Sequence, residues 1–200
     1  MKPETAAQPA SPSTQPACDV LVIGGGPAGS TVSTLLARRG HDVVLVEKDQ
    51  HPRFHIGESL LPANLPLFDE LGVGEQVRAI GMMKWGAEFE SPWHAHQQAF
   101  TFAEAWNKEQ PHAYQVRRSE FDEILLRNAE RAGVRVFEQC RLEQLDLEAT
   151  PERAAATARH ATLGALDFQP RFVIDASGRD TFLSNRFQIK HKNPRHSSLA

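Results

Sequence analysis

Gly24-Gly25-Gly26-Pro27-Ala28-Gly29 gives G-x-G-x-x-G between a run of Val, Leu and Ile and a stretch with helical spacing. The three glycines suit three tasks: Gly24 for a tight turn, Gly26 for backbone approach to a pyrophosphate, Gly29 for close helix-strand packing. Helix N-terminal N–H groups would face the anion, with Pro27 and Ala28 in the first turn. Glu47 closes the next apolar run, eighteen residues after Gly29, where a carboxylate can accept hydrogen bonds from a ribose hydroxyl. A glycine-rich turn without a ligand would explain the glycines but not the acid, so the combination points to dinucleotide binding.

The elements needed to hold these residues are legible around them. CDVLVIGG, from Cys18, is an apolar run expected of a strand buried on both faces. Residues 27–40 carry Val32, Leu35 and Leu36 as a sparse stripe for a helix packed on a sheet, and Gly40 stops it. DVVLVE then reads as a second buried strand, completing a right-handed βαβ unit. A polar loop, KDQHPRFHIGESLLP, follows, and the next comparable parallel strand with a small-residue turn, RFVIDASG at 171–178, comes late.

Between them, Leu60, Leu61, Leu65, Leu67, Phe68 and Leu71 predict a helix stopped by Gly72, with a second short helix at 75–80. Ser119 is a credible N-cap for a helix burying Phe121, Ile124, Leu125 and Ala129. VRVFEQC reads as a parallel strand, and the segments after it as an antiparallel meander serving as scaffold. Strands at 83–90 and 98–102 concentrate the aromatic residues Trp85, Phe89, Trp93, Phe100, Phe102 and Trp106. These are expected to be mostly core, with one or two facing a substrate pocket.

Composition narrows the function. The 200 residues hold 22 Lys and Arg against 25 Asp and Glu, a net charge of -3, which excludes the basic footprint of a nucleic-acid binder. No apolar run reaches the length of a membrane span. The two cysteines, Cys18 and Cys140, lack metal-ligand spacing and fit a reducing, cytoplasmic compartment. His51 and His55 flank a proline in a loop and His94-Ala95-His96 has no third ligand, so no metal site is expected. Glu58-Ser59-Leu60 is not a nucleophile elbow, which removes support for a hydrolase. Residues 1–17 hold nothing able to build a core or a secretory apolar segment and read as a disordered tail.

RFHIGESLLP at 53–62, YQVRRSEFDEIL at 114–125 and DASGR at 175–179, added to the glycine fingerprint, resemble the flavin-dependent halogenases. They also resemble the related monooxygenases and geranylgeranyl-reductase-like proteins. The resemblance implies an α/β, Rossmann-like FAD-binding fold of the glutathione-reductase type: a parallel sheet, an antiparallel meander and part of a substrate-side sheet. It implies a tail at 1–17, an FAD-binding domain at 18–180 with an insertion at about 51–112, and the start of an incomplete substrate domain at 181–200. FAD would contact Gly24, Gly26, Ala28, Gly29, Glu47, Lys48, Arg53, Ser59, Arg118, Asp175, Ala176 and Gly178. Alternatives stand beside several of these: Arg53 and Arg118 as surface residues or ion-pair partners of Glu58 or Asp122, and Asp175 as a cap of its own turn.

Lys84, in GMMKWG at 81–86, matches the lysine that halogenases place between flavin and substrate, where it meets the hypohalous acid; Met83 and Trp85 are expected to desolvate it. Its plainer reading is a solvated charge on an edge strand. The halogenases' W-x-W-x-I-P motif and the lysine's acidic partner do not occur in the 200 residues. The chain is therefore expected to be the N-terminal part of a longer product. The activity implied is oxidation of an electron-rich small organic substrate with reduced FAD and oxygen, a separate flavin reductase supplying the electrons. The alternatives are monooxygenation, isoprenoid reduction or non-catalytic flavin binding.

Overall fold

Alternation along the first strands sets the layers. In β1 (Cys18–Ile23), Val20 and Val22 point to one side and Leu21 and Ile23 to the other, and all four are buried. The computed structural model describes residues 17–106 and 108–191. The tail expected at 1–17 lies, except for Ala17, outside the described residues, as does the end of the segment expected at 181–200. After β1 come α1 (Pro27–Arg38) and β2 (Val43–Val46). Next are α2 (Leu65–Glu70), α3 (Gly74–Ile80), and the strands β3 (Met82–Lys84), β4 (Gly86–Glu90), β5 (Gln97–Thr101) and β6 (Ala113–Gln115). The chain continues through α4 (Arg118–Arg131), β7 (Arg135–Phe137), β8 (Cys140–Asp146), β9 (Ala155–His160), β10 (Gly164–Phe168), β11 (Pro170–Asp175) and α5 (Phe182–Arg186).

The parallel sheet runs β11-β1-β2-β7. Val20, Val22, Val43 and Leu45 pack with Leu126 and Ala129 of α4 and with Val32 and Leu36 of α1. Leu21, Ile23, Val44 and Val46 pack on the antiparallel β10-β9-β8 meander through Leu142, Leu166 and Phe168. The late strand β11 joins the free side of β1, so the chain leaves β1 toward β2 and returns on the opposite flank. That reversal is the switch point at which open α/β sheets bind ligands.

The expected α/β architecture is present, with local differences. Helix α1 turns Gly29, Ser30, Ser33 and Thr34 inward; its larger apolar residues are only partly buried. Small residues let the helix approach closely, and Ser30 and Thr34 satisfy their hydroxyls on the carbonyls of Gly25 and Ser30. Ser119 is not the N-cap of α4, because Arg118 is already helical, its guanidinium forked onto Asp122 one turn on. Leu60 and Leu61 are outside α2: the Leu60 N–H donates to the Tyr114 carbonyl at 2.9 Å, which holds the segment extended until Pro62. VRVFEQC divides between β7 and β8 at Gln139, whose φ of 51° breaks the strand.

The aromatic region departs most from expectation. β3 pairs with β6 and β4 with β5 as separate ladders. Trp85, Phe89, Trp93, Phe100 and Trp106 are all exposed, Trp93 at 87%, and only Phe102 packs against a core cluster. Phe89 and Phe100 meet edge to face, centroids 5.8 Å apart, but none of the described residues buries the pair.

Candidate functional site

Register brings the strand ends level: Ile23 is opposite both Val46 and Asp175, and Val46 is opposite Phe137. The loops leaving these ends enclose a cleft of about 1180 Å³. Gly24, Gly26 and Ala28 form one wall, Glu47, Lys48 and Arg53 a second, and Ala176 and Gly178 a third, with Arg118 at its margin.

Gly24, at φ 103°, makes the turn from β1 into α1 and sits against Ala176: a Cβ there would meet the Ala176 carbonyl oxygen at 2.5 Å. Gly29 has no room on the protein side either, whereas a Cβ on Gly26 would touch only the Arg53 guanidinium, at 3.7 Å. Gly26 therefore lines the cleft with bare backbone, directly before the N-terminus of a twelve-residue helix.

Glu47 is 3% exposed. One carboxylate oxygen accepts the Gly25 N–H at 2.6 Å and the other the Asp49 N–H at 2.9 Å, tying the glycine turn to the loop after β2. A carboxylate has about four acceptor sites, so capacity remains toward the cleft. Arg53 is 3.7 Å from Glu47 and 3.8 Å from Asp49, and its buried Nε lacks a hydrogen-bond partner. Lys48 forms an ion pair with Asp180 across the cleft, and this hydrogen bond holds the Asp180 carboxyl below its ordinary pKa. Arg118 forks onto the fully buried Asp122 at 2.7 and 2.9 Å and donates to the Ile56 carbonyl at 2.9 Å, fastening the 53–59 loop to α4.

Three expected cofactor residues, Gly29, Asp175 and Ser59, lie off the cleft wall, Gly29 because it packs on Gly24 and Ala176. Asp175 takes the cap role: one oxygen accepts the Ser177 N–H and hydroxyl and the other the Leu183 N–H at 2.8 Å, which ties the β11 turn to the start of α5. Ser59 lies two residues past the cleft-lining Gly57, and its hydroxyl accepts a hydrogen bond from the Lys84 ammonium. Lys84 itself is half-buried, with Nζ 5.2 Å from the centroid of the Phe102 ring. Met83 and Trp85 are exposed beside it rather than covering it.

The cleft also contains residues that sequence reasoning assigned elsewhere. Cys140, read as the end of a parallel strand, and Arg141 to Glu143, at the start of the meander read as scaffold, line it, as do Phe182, Asn185 and Arg186 of α5. The Cys140 N–H donates to the Glu47 carbonyl at 2.8 Å, which brings β8 to the end of β2; burial raises the Cys140 thiol to about 11. Among the described residues no cluster of His, Cys, Asp and Glu could hold a metal ion, and no helix is long and apolar enough to cross a membrane.

The family model for the FAD binding domain matches residues 17–198. The chain belongs to the FAD-binding-domain family. FAD is its cofactor, as the pairing of a glycine turn with a helix N-terminus suits. Among relatives of this FAD-binding domain, the tryptophan 2-halogenase of Chondromyces crocatus is 43% identical over 84% of the chain and 31% of the relative. A flavin-dependent halogenase of Armillaria mellea is 39% identical over 84% of the chain and 33% of the relative. The domain thus spans about a third of the length of these curated relatives. Solved structures similar to it include two halogenases. The myxobacterial chondrochloren halogenase CndH gives a TM-score of 0.72 at 39% identity, with 83% of this chain and 38% of that one covered. The flavin-dependent halogenase CmlS gives 0.77 at 34% identity, with 86% and 31% covered.

Proposed function

We propose that this chain is the cofactor-holding part of a flavin-dependent halogenase acting on an electron-rich small organic substrate. The observation that carries the reading is Lys84: at the end of β3, it is held by the Phe102 ring and by the hydroxyl of Ser59, on the loop that continues from the flavin cleft. Relatives named as halogenases at 43% and 39% identity support the same assignment.

In this reading the Gly24–Gly29 turn and the α1 N-terminus receive the pyrophosphate, and Glu47 a ribose hydroxyl. The unpartnered Nε of the buried Arg53 is a donor available to a phosphate oxygen. Ala176 and Gly178 keep the β11 turn small where it borders the cofactor. FAD, once bound and reduced, supplies the oxidising chemistry with oxygen. Lys84 offers a cation and N–H donors to the oxidised halide, and the aromatic β4–β5 hairpin follows it directly in the chain. In this reading a separate flavin reductase supplies the electrons. The compartment is the cytoplasm, which suits two unpaired cysteines.

The test uses the complete gene product with FAD, a flavin reductase, halide and an electron-rich aromatic substrate. Lys84→Ala should abolish halogenation, read by product mass spectrometry, while FAD still binds. Halogenation that persists removes Lys84 from the reaction, absence of a halogenated product from the unaltered protein overturns the assignment, and a hydroxylated product would replace it with monooxygenation.

A further inference from the structure

Lys84 and Ser59 are twenty-five residues apart and belong to different segments, yet one small ladder brings them together. Lys84 is opposite Ala113 on one side of β6, and Ser59 is bridged to Gln115 on the other. Ala113 and Gln115 are two apart on an extended strand and share a face, so their cross-strand partners share it too. Lys84 therefore reaches diagonally across β6 to the Ser59 hydroxyl.

The loop does not depend on that hydroxyl for its place. The Leu60 N–H donates to the Tyr114 carbonyl and the Val116 N–H to the Glu58 carbonyl, both at 2.9 Å, so the backbone is stitched to β6 on either side of Ser59. Phe102, whose ring lies near the ammonium, is tied to the same place by its N–H on the Trp85 carbonyl at 2.9 Å. Backbone contacts thus hold the platform, and the Ser59 side chain is left with the amine.

We infer that Ser59 is the positioning residue of Lys84, restraining its ammonium on this face at the end of the loop that leaves the cleft. Its relevance to halogenation rests on the reading above; the restraint itself does not. A long lysine side chain otherwise samples many rotamers, so a fixed acceptor decides where the charge is presented.

The experiment is limited acylation of amines in the intact chain, with labelling at Lys84 read by peptide mass spectrometry and Lys48 as internal reference. Ser59→Ala should raise the relative rate at Lys84 roughly three- to tenfold, the range expected for loss of one hydrogen bond. Ser59→Thr, which keeps the hydroxyl, should return it to the original rate, and FAD affinity should stay within about twofold in both. Unchanged Lys84 labelling in Ser59→Ala, or no rescue by Ser59→Thr, overturns the inference. Weakened FAD binding with unmoved labelling also overturns it and makes Ser59 a flavin contact. Halogenation that persists in Lys84→Ala, beside a labelling shift at Lys84 in Ser59→Ala, would remove Lys84 from the reaction and leave the positioning intact.

Discussion

Gly29 and Gly24 are in backbone contact: a Cβ on Gly29 would stand 1.9 Å from the Gly24 carbonyl oxygen and 3.2 Å from the Ala176 methyl. The colliding atoms are main chain and a short side chain, so neither can swing away. Gly26, three residues earlier, faces the cleft, and its φ of -71° suits any residue. Gly29→Ala should therefore lower stability by about 1–3 kcal/mol, the range of an overpacked site, read as an earlier urea midpoint. Gly26→Ala should leave that midpoint in place and weaken FAD about tenfold or more in a fluorescence titration. Equal loss of stability in the two variants would contradict this division of roles.

The Arg118–Asp122 pair makes a prediction about rigidity. Asp122 is fully buried, so removing Arg118 leaves a carboxylate without its fork and releases the carbonyls of Ile56 and Gly57. Arg118→Ala should cost about 3 kcal/mol in chemical denaturation. Arg118→Lys should recover little of it, because a point charge cannot engage both carboxylate oxygens and the two carbonyls. Full recovery would show that charge alone matters at this position.

How much of this could be read from residue order follows from what each signal encodes. β1, α1 and β2 are legible because Val-Leu-Val-Ile, the glycines and Glu47 specify one arrangement locally. Cys140 and Leu142 are missed as cleft residues because alternation assigns each side chain to a face without saying which strand end the meander abuts. The aromatic hairpin fails for a related reason: Phe89 and Phe100 can be placed on one face of β4 and β5, but nothing local says whether that face is covered. Asp175 shows a third limit, since its spacing allows a cap or a ligand and only the Ser177 and Leu183 N–H groups decide.

Both cysteines should be inert in the native protein. Burial raises the Cys18 and Cys140 thiols to about 11, which leaves little thiolate at pH 8. Reaction with a disulfide reagent at that pH should be slow until denaturant is added, when two equivalents should react at once. Because Cys140 lines the cleft, saturating FAD should slow its residual reaction and leave that of Cys18 unchanged.

Stability should fall on mild acidification because of His51. Its ring is buried with neither nitrogen hydrogen-bonded, and its pKa is lowered by burial first and by Arg53 next; Glu47, Glu138 and Asp122 oppose the shift. Below the ordinary value of 6.5 the unfolded chain binds a proton that the folded chain refuses, so the folded state loses ground as pH falls through 6.5. Above 6.5 both states are neutral at this ring and the contribution vanishes. The urea midpoint should drop between pH 7.5 and 5.5, and His51→Phe should flatten that part of the profile. An identical profile in the variant would assign the acid sensitivity to the carboxylates.

Glu47 is best separated into its two functions by isosteric replacement. Its carboxylate accepts the Gly25 N–H on one oxygen and the Asp49 N–H on the other, so it holds the glycine turn and the 48–53 loop together as well as facing the cleft. Glutamine can present only one acceptor oxygen, and its NH2 must then oppose one of the two backbone donors. A buried N–H left unsatisfied costs about 1–3 kcal/mol. Glu47→Gln should therefore lose stability by about that amount even without FAD, together with a drop in FAD affinity. Glu47→Ala should lower both further, since it leaves two donors unpaired. If Glu47 served the ribose alone, both variants would bind FAD weakly while their apo-protein urea midpoints matched that of the unaltered chain. Urea titration of the flavin-free proteins separates the two outcomes.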